Sequence, residues 1–568
     1  MLKFGRKSKI KILQLLGLKL NYSKCPETKV LKLPIGNVKG KYQTGYCGNS
    51  FYSFEGIPYG KPPIGNLRFR PPQPAEPWKE LDCRYEADPP VQFIRDTGEV
   101  LGKEDCLKLN VYTKHFDTTK QPLPVIVYFH GGGFRENGAI RSKYGPDYLM
   151  REDIVFVIFS YRLCVLGFLR LSDPELGVPG NAGIHDQMLA LRWVNKYISH
   201  FNGDAKNITI MGTSAGAGSV HFMMCLPQAS DLFQRCIMMS GCMMCPWVNV
   251  PETETFPYRL ANAKGYKGST ADADVLKFLC SLSAEELVSH HLFGPKKRCF
   301  GHLYPFVPSL ETQHSSTGAR GGLLNRPFAQ MMREAWSTNL PLLMGHTSFE
   351  GLVMYPYCKV NNGHMIDLLI QQPALILPYD RYVSLSNDER VEHAQKLISF
   401  HYGPRTISKS NVIQTLDHFS YKCFLHGMHR VVLSRLAYAT APTYMFRFDF
   451  DSPNSNLMRL KLCGDDILRG VCHADELGFI FPRKMEKLNE AGVCTVQRMV
   501  SIITTFARTG NPNCVETESE LWSPVDRKDP FKIMNIGNEL EVTTLPEKEG
   551  IKVWNKLYND DACLLYGG

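Results

Sequence analysis

No stretch of this 568-residue chain offers 18 consecutive apolar residues, so a membrane-spanning helix is not expected. Charge excess is also missing from most of it. The formal net charge is +10, but residues 1–24 hold seven basic side chains and no acidic one, leaving 58 basic against 55 acidic in the body. A nearly balanced body argues against a nucleic-acid-binding surface. Internal repeats and low-complexity linkers are absent too, which removes solenoids and strings of small domains. What remains, 44% hydrophobic and 21% charged, is an ordinary globular composition with ample length for a large core.

The basic N-terminus leaves three readings open. Ile12 to Leu18 is apolar except for Gln14 and resembles a short signal-peptide core, yet Lys19 and Lys24 follow and no small-x-small cleavage site precedes Pro26. Leu13, Leu16 and Leu20 share one helical face, which suits a basic amphipathic helix on an anionic membrane surface through residues 1–20. A solvated tail is the third reading. The 18 cysteines are spread too widely for a disulfide framework, so most are expected to be buried thiols in a reducing compartment. The expected location is therefore the cytoplasm, with peripheral contact on an intracellular membrane if the helix forms, and secretion as the alternative. Cys242-Met243-Met244-Cys245 is a C-x-x-C, but no second pair at zinc-site spacing accompanies it, so alone it carries little weight for metal or redox chemistry.

Apolar runs alternate with helical patterns through the middle of the chain. Val125–His130, Ile154–Tyr161, Ile208–Met211, Cys236–Ser240, Pro341–Gly345 and Thr443–Phe450 read as strands. His185–Phe201 places Met188, Leu191, Val194 and Ile198 on one helix face. The alternation predicts an α/β fold, a large mostly parallel central sheet flanked by helices. Residues 1–28 form the tail or amphipathic helix and 29–568 a single domain. Region 250–340 is polar and irregular and is expected to be an insertion building pocket walls.

Chemistry concentrates in four ordered features. Gly212-Thr213-Ser214-Ala215-Gly216 reads G-x-S-x-G after a β-branched strand and before a small, apolar helix start. A serine on such a turn presents its hydroxyl above the sheet beside a helix N-terminus. The motif alone is weak, because glycine and serine are common in turns. His130-Gly131-Gly132-Gly133-Phe134, about 80 residues upstream, also follows a strand, and its glycines let backbone amides approach a developing oxyanion. A nucleophilic serine needs a base and the base needs an orienting acid. Glu350 follows the strand ending at Gly345, and His473 follows the strand from Thr443, so Ser214, Glu350 and His473 stand in the order serine, acid, histidine. Asp475 and Glu476 break that order and read as structural carboxylates.

With these residues together, the chain resembles the carboxylesterase/cholinesterase (type-B) family of α/β-hydrolases, most closely its insect α-esterases. The likeness extends from about residue 29 to the end. It rests also on Phe54-Glu55-Gly56-Ile57-Pro58-Tyr59, Leu67-Arg68-Phe69, Glu104-Asp105-Cys106-Leu107, Gly180-Asn181-Ala182-Gly183 with Asp186-Gln187, and Thr509-Gly510-Asn511-Pro512. The resemblance implies an α/β-hydrolase fold with insertions forming the pocket. It implies Ser214 as nucleophile, His473 as base and acid, Glu350 as its orienting carboxylate, and the amides of Gly132, Gly133 and Ala215 as the oxyanion hole. It implies Trp247, Phe134 and Ser240 around the substrate, and a Cys83–Cys106 pair that is disulfide-bonded in secreted relatives. No metal or organic cofactor is implied. The partners implied are small-molecule ester substrates and organophosphate-type inhibitors; oligomeric state is left open.

Four residues depart from the family pattern. Thr213 stands where relatives carry Glu before the nucleophile, Cys164-Val165 replaces Gly-Ala, and Arg135 replaces a small or apolar residue where it could charge the pocket mouth. Tryptophan is missing between Cys83 and Cys106, so choline esters are not the expected substrates. The expected activity is hydrolysis of lipophilic carboxylic esters through an acyl-enzyme, in xenobiotic or lipid-ester metabolism. The alternatives are a specific hormone or pheromone ester, and a non-catalytic cholinesterase-like binding or adhesion protein.

Overall fold

Strict alternation inside continuous apolar runs builds the centre of the molecule. In Leu123–Phe129, Val125, Val127 and Phe129 enter one apolar layer, while Ile126 and Tyr128 enter the layer on the opposite face. Val155–Phe159 divides the same way, and both strands are buried throughout. Strands buried on both faces belong in a parallel sheet covered by helices. The computed structural model describes residues 28–566 apart from 46, 95–96, 117–120, 250–254, 290–294, 312–321, 483–487 and 520.

In chain order the strands are β1 Thr28–Leu33, β2 Gly36–Thr44, β3 Ser50–Pro58, β4 Glu80–Asp82, β5 Gln92–Ile94, β6 Glu99–Leu101, β7 Lys108–Thr113 and β8 Leu123–Phe129. There follow β9 Val155–Phe159, β10 Gly203–Thr213, β11 Arg235–Met239, β12 Leu342–Thr347, β13 Thr443–Phe448, β14 Lys532–Ile536 and β15 Leu540–Thr544. The sheet runs β1-β2-β3-β7-β9-β8-β10-β11-β12-β13-β14-β15, with β4 beside β2, and β5-β6 stands apart as a small ribbon. Strands β9, β8, β10, β11, β12, β13 and β14 are mutually parallel, and antiparallel strands close both ends.

Helices α1 Ala182–Tyr197 and α2 Ala215–Cys225 cover one face through Ile184, Met188, Leu191, Val194, Val220 and Met223. That face also carries α3 Val412–Ser420 and α4 His426–Tyr438, joined by the π-helical turn Tyr421–Leu425. Helix α5 Glu490–Thr509 covers the other face with Val493, Val496, Met499, Val500, Ile503 and Phe506. Its ends have local causes. The Asn489 side chain accepts from the Gly492 N–H, and Gly510 adopts the left-handed conformation (φ 80°) that ends a helix without a Cβ penalty. A buried ion pair, Arg162 Nη2 to Asp186 Oδ1 at 2.6 Å, ties α1 to the loop after β9.

The expected strands are present with shifted ends. The strand before the serine motif is longer than Ile208–Met211 and absorbs Gly212 and Thr213, because its ladder to β8 and β11 continues that far. The helix expected from His185 starts at Ala182, and its last turn, Ile198–Phe201, tightens to a 3-10 helix. The strand expected to reach Phe450 stops at Phe448. Thr28, assigned to the tail, instead pairs with Lys41 as the first residue of β1; the rest of the tail lies outside the described residues. In region 250–340, Leu260, Val275, Leu279 and Leu287 share a third apolar cluster with Val165, Leu166 and Leu169.

Candidate active site

Ser214 has φ 59° and ψ −124°, a backbone state that a non-glycine residue avoids at a cost of about 1–3 kcal/mol. Its neighbours hold it there. The Ser214 N–H donates to Met239 O at 2.9 Å, and Ser214 O accepts from the Gly218 N–H at 3.0 Å. The turn therefore joins the end of β10 to the start of α2, with Ala215 as the first helical residue. The Ala215 N–H belongs to the set that has no partner within its helix.

The glycine loop lies against this turn. A Cβ on Gly131 would fall 2.6 Å from Thr213 O and 3.1 Å from the Ser214 Cβ. Gly132 has φ +114°, and a Cβ there would fall 2.2 Å from Glu136 O. Only glycine lets the backbone come so near the serine. Phe134 turns its ring edge-on to Phe168 at 5.3 Å in the main core.

Glu350 follows β12 and is fully buried. Its Oε2 accepts from His473 Nδ1 at 2.6 Å, and its Oε1 accepts from the Ser240 hydroxyl at 2.6 Å and the Thr347 N–H at 2.8 Å. Burial pushes the Glu350 carboxyl up, but the neighbouring His473 and these donors outweigh it, and the net displacement is downward. With Nδ1 donating to a carboxylate, Nε2 is left as the basic nitrogen of the ring. The Phe424 ring lies 4.7 Å from the imidazole, tilted by 38°. Ser214, Ser240 and Glu350 all follow the C-terminal ends of parallel strands, where ligands meet open α/β sheets.

The remaining candidates divide. Trp247 lies near the serine turn: a Cβ on Gly241 would lie 2.6 Å from Ser214 O and 3.0 Å from Trp247 Cη2. The indole Nε1 donates to Cys423 O at 2.8 Å. Ser240, expected beside the substrate, hydrogen-bonds the Glu350 carboxylate. Arg135 is buried. It is 8% exposed, with its guanidinium 5.0 Å from the Tyr304 ring. Thr213 is buried and its hydroxyl finds no hydrogen-bond partner. Cys83 and Cys106 are buried free thiols, and burial pushes Cys83 up to about 12. Asp475 is structural, accepting from the N–H groups of Met458, Arg459 and Cys472 at 2.7, 3.4 and 2.8 Å.

Two aromatic residues escaped the sequence reading. Phe424 sits in a π-helical turn with no motif to mark it. Tyr304 packs over the glycine loop, where a Gly133 Cβ would fall 2.5 Å from its ring, and its hydroxyl pairs with that of Tyr357 at 3.0 Å. Its position inside region 250–340 was the only signal.

A strained serine at a strand-to-helix turn, on a sheet of this order, defines an α/β-hydrolase. Comparison with known proteins narrows the class. A sequence model described as "Carboxylesterase family" matches residues 27–554. Esterase B1 of Culex pipiens is 34% identical over 94% of this chain and 99% of its own length. Esterase E4 of Myzus persicae is 31% identical over 90% of this chain and 91% of its own. The crystal structure of juvenile hormone esterase from Manduca sexta, with OTFP covalently attached, superposes with a TM-score of 0.81 at 25% identity, covering 94% of this chain and all of that one. The chain belongs to the carboxylesterase family, and it is a carboxylic ester hydrolase. Its substrates are small-molecule esters. Among the described residues, no helix is long and apolar enough to cross a membrane.

Proposed function

We propose that Ser214 is the nucleophile, His473 its general base and acid, and Glu350 the carboxylate that orients His473. The observation carrying this reading is the 2.6 Å contact from His473 Nδ1 to a buried carboxylate, which Ser240 ties to the strained serine turn because the Ser214 N–H donates to Met239 O, one residue before it. The Ser214 hydroxyl attacks the ester carbonyl as Nε2 takes its proton. Charge gathers on the carbonyl oxygen, which the N–H groups of Gly132, Gly133 and Ala215 receive. His473 returns the proton to the departing alcohol. Water then hydrolyses the acyl-enzyme by the same route.

The substrates are lipophilic carboxylic esters. Supporting this, the surroundings are aromatic: Trp247 beside the serine turn, Phe424 against the histidine, Tyr304 against the glycine loop. Organophosphates would phosphorylate Ser214. The cytoplasmic placement in this reading is supported by the dispersed cysteines. Ser214→Ala should abolish labelling by a fluorophosphonate probe and hydrolysis of a p-nitrophenyl ester series of increasing acyl length. Labelling that survives in the variant would move the nucleophile elsewhere.

A further inference from the structure

The C-x-x-C segment carries more than its sequence promised. Cys242 and Cys245 are buried, and their sulfurs lie 3.7 Å apart. The Cys245 N–H donates to Cys242 O at 3.1 Å, so a single turn holds the pair face to face. His221, on α2, reaches both the Cys242 sulfur and the Met243 N–H, the latter at 3.4 Å. Burial pushes the Cys242 thiol up, but the hydrogen bonds from Cys245 and His221 overcome it and bring it down to about 6, while the Cys245 thiol is pushed upward. Of the two, Cys242 is therefore the sulfur that gives up its proton first and Cys245 the one that keeps it.

Cys245 also lines a cavity of about 260 Å³, with Met243, Met244, Pro246, His302 and Lys422 on its wall. Molecules of a few heavy atoms fit such a space, since a water's share of liquid volume is about 30 Å³. The pair therefore combines a hydrogen-bonded thiolate at Cys242, a resolving partner in contact and a chamber that reaches that partner.

The segment touches the catalytic residues on both sides. Gly241, just before Cys242, abuts Ser214, and Trp247, two residues past Cys245, abuts Gly241. The Cys245 sulfur contacts Phe424 O at 4.0 Å, and Phe424 packs against His473.

We propose that Cys242 and Cys245 form a reversible redox pair, oxidised by small hydroperoxides to a disulfide that reshapes the acyl side of the active site. This rests on the assignment of Ser214, Trp247 and His473 made above. The Cys242 thiolate attacks the outer peroxide oxygen, the O–O bond breaks, and the departing oxygen takes the Cys245 proton and leaves as an alcohol or water, giving a sulfenic acid on Cys242. The Cys245 sulfur then attacks the Cys242 sulfur and expels the oxygen as water. Two thiols and one hydroperoxide become one disulfide, one alcohol and one water. The sulfurs close from 3.7 Å to about 2 Å, drawing on Gly241 and Pro246 at either end of the turn.

The experiment treats the fully reduced full-length chain with increasing hydrogen peroxide, removes the excess, blocks free thiols and maps the peptide from Cys236 to Arg259 by mass. Esterase kinetics are followed on the same samples. Loss of two hydrogens confined to Cys242 and Cys245 is expected, with kcat/KM shifting by about tenfold because displacement of a positioned wall by an ångström is enough. Dithiothreitol should restore both, and Cys242→Ser should retain activity while losing the response. A peptide that keeps both thiols at full oxidation of exposed cysteines overturns the proposal, and so does a disulfide that leaves kcat/KM unchanged. The mass readout does not depend on Ser214, so a wrong nucleophile would show in fluorophosphonate labelling and leave the disulfide result standing.

Discussion

Replacing Glu350 by glutamine changes one atom and should reverse the histidine. The carboxylate receives three donors on two oxygens: His473 Nδ1 on one, the Ser240 hydroxyl and the Thr347 amide on the other. A glutamine must present NH2 in one of those places. The Thr347 N–H is fixed by the backbone and cannot become an acceptor, so the amide oxygen is held on that side. The NH2 then faces His473, whose Nδ1 can meet it only as an acceptor. The ring proton moves to Nε2, the nitrogen that must accept from Ser214. A base in the wrong tautomer, lacking the carboxylate that steadies its charged form, should lose about 10⁴ in kcat, or about 5 kcal/mol of transition-state stabilisation. Glu350 does not touch the ester, so KM should barely move. The assay is steady-state hydrolysis of p-nitrophenyl butyrate, with the melting temperature as a check on folding. Ser240→Ala is the control: it removes one donor but keeps the Thr347 N–H, so the tautomer survives and the loss should stay within about tenfold, the scale of one hydrogen bond of about 1 kcal/mol. A folded Glu350→Gln enzyme within tenfold of the parent would refute the reasoning.

Other outcomes follow from the same geometry. Gly132→Ala should lower kcat by about 10²–10³ on the ester series, because its Cβ meets Glu136 O and displaces the amide meant for the oxyanion; unchanged turnover would remove Gly132 from that role. Trp247→Leu should shift preference toward longer acyl chains by vacating space beside Gly241, and cost about 2–4 kcal/mol of stability in urea; an unaltered chain-length profile would mean the indole does not bound the acyl group. Asp475 is pushed up to about 7, chiefly by burial. Between the ordinary carboxylate range and about 7, the folded chain holds a proton that the unfolded chain has released. Stability contributed by this group should therefore fall as pH rises through that window and level off above it. Asp475→Asn should flatten that part of the urea-midpoint profile, and an identical slope in the variant would exclude the group.

The order serine, acid, histidine was legible because chain order along a parallel sheet is a property of the sequence. The strands were legible because β8 and β9 are buried on both faces and so read as unbroken apolar runs. The glycine loop was legible because backbone approach demands residues without a Cβ. Contacts between distant segments were not. Nothing local marks Phe424 as the ring beneath His473, or Tyr304 as the cover of Gly133, since each meets its partner only after separate crossovers. Arg135 showed the reverse: a charge suited to a pocket mouth is instead buried against an aromatic face, where cation–π contact replaces water. The C-x-x-C was visible as a pattern, but its 3.7 Å sulfur contact, the approach of His221 and the chamber beside Cys245 come from different helices and turns. Sequence alone thus determined the fold class and the family and nominated the reacting side chains, because each rests on residue type and spacing. Tertiary structure alone decided which oxygen of Glu350 meets which donor, and what packs behind the site, because those depend on atoms hundreds of residues apart arriving within a few ångströms.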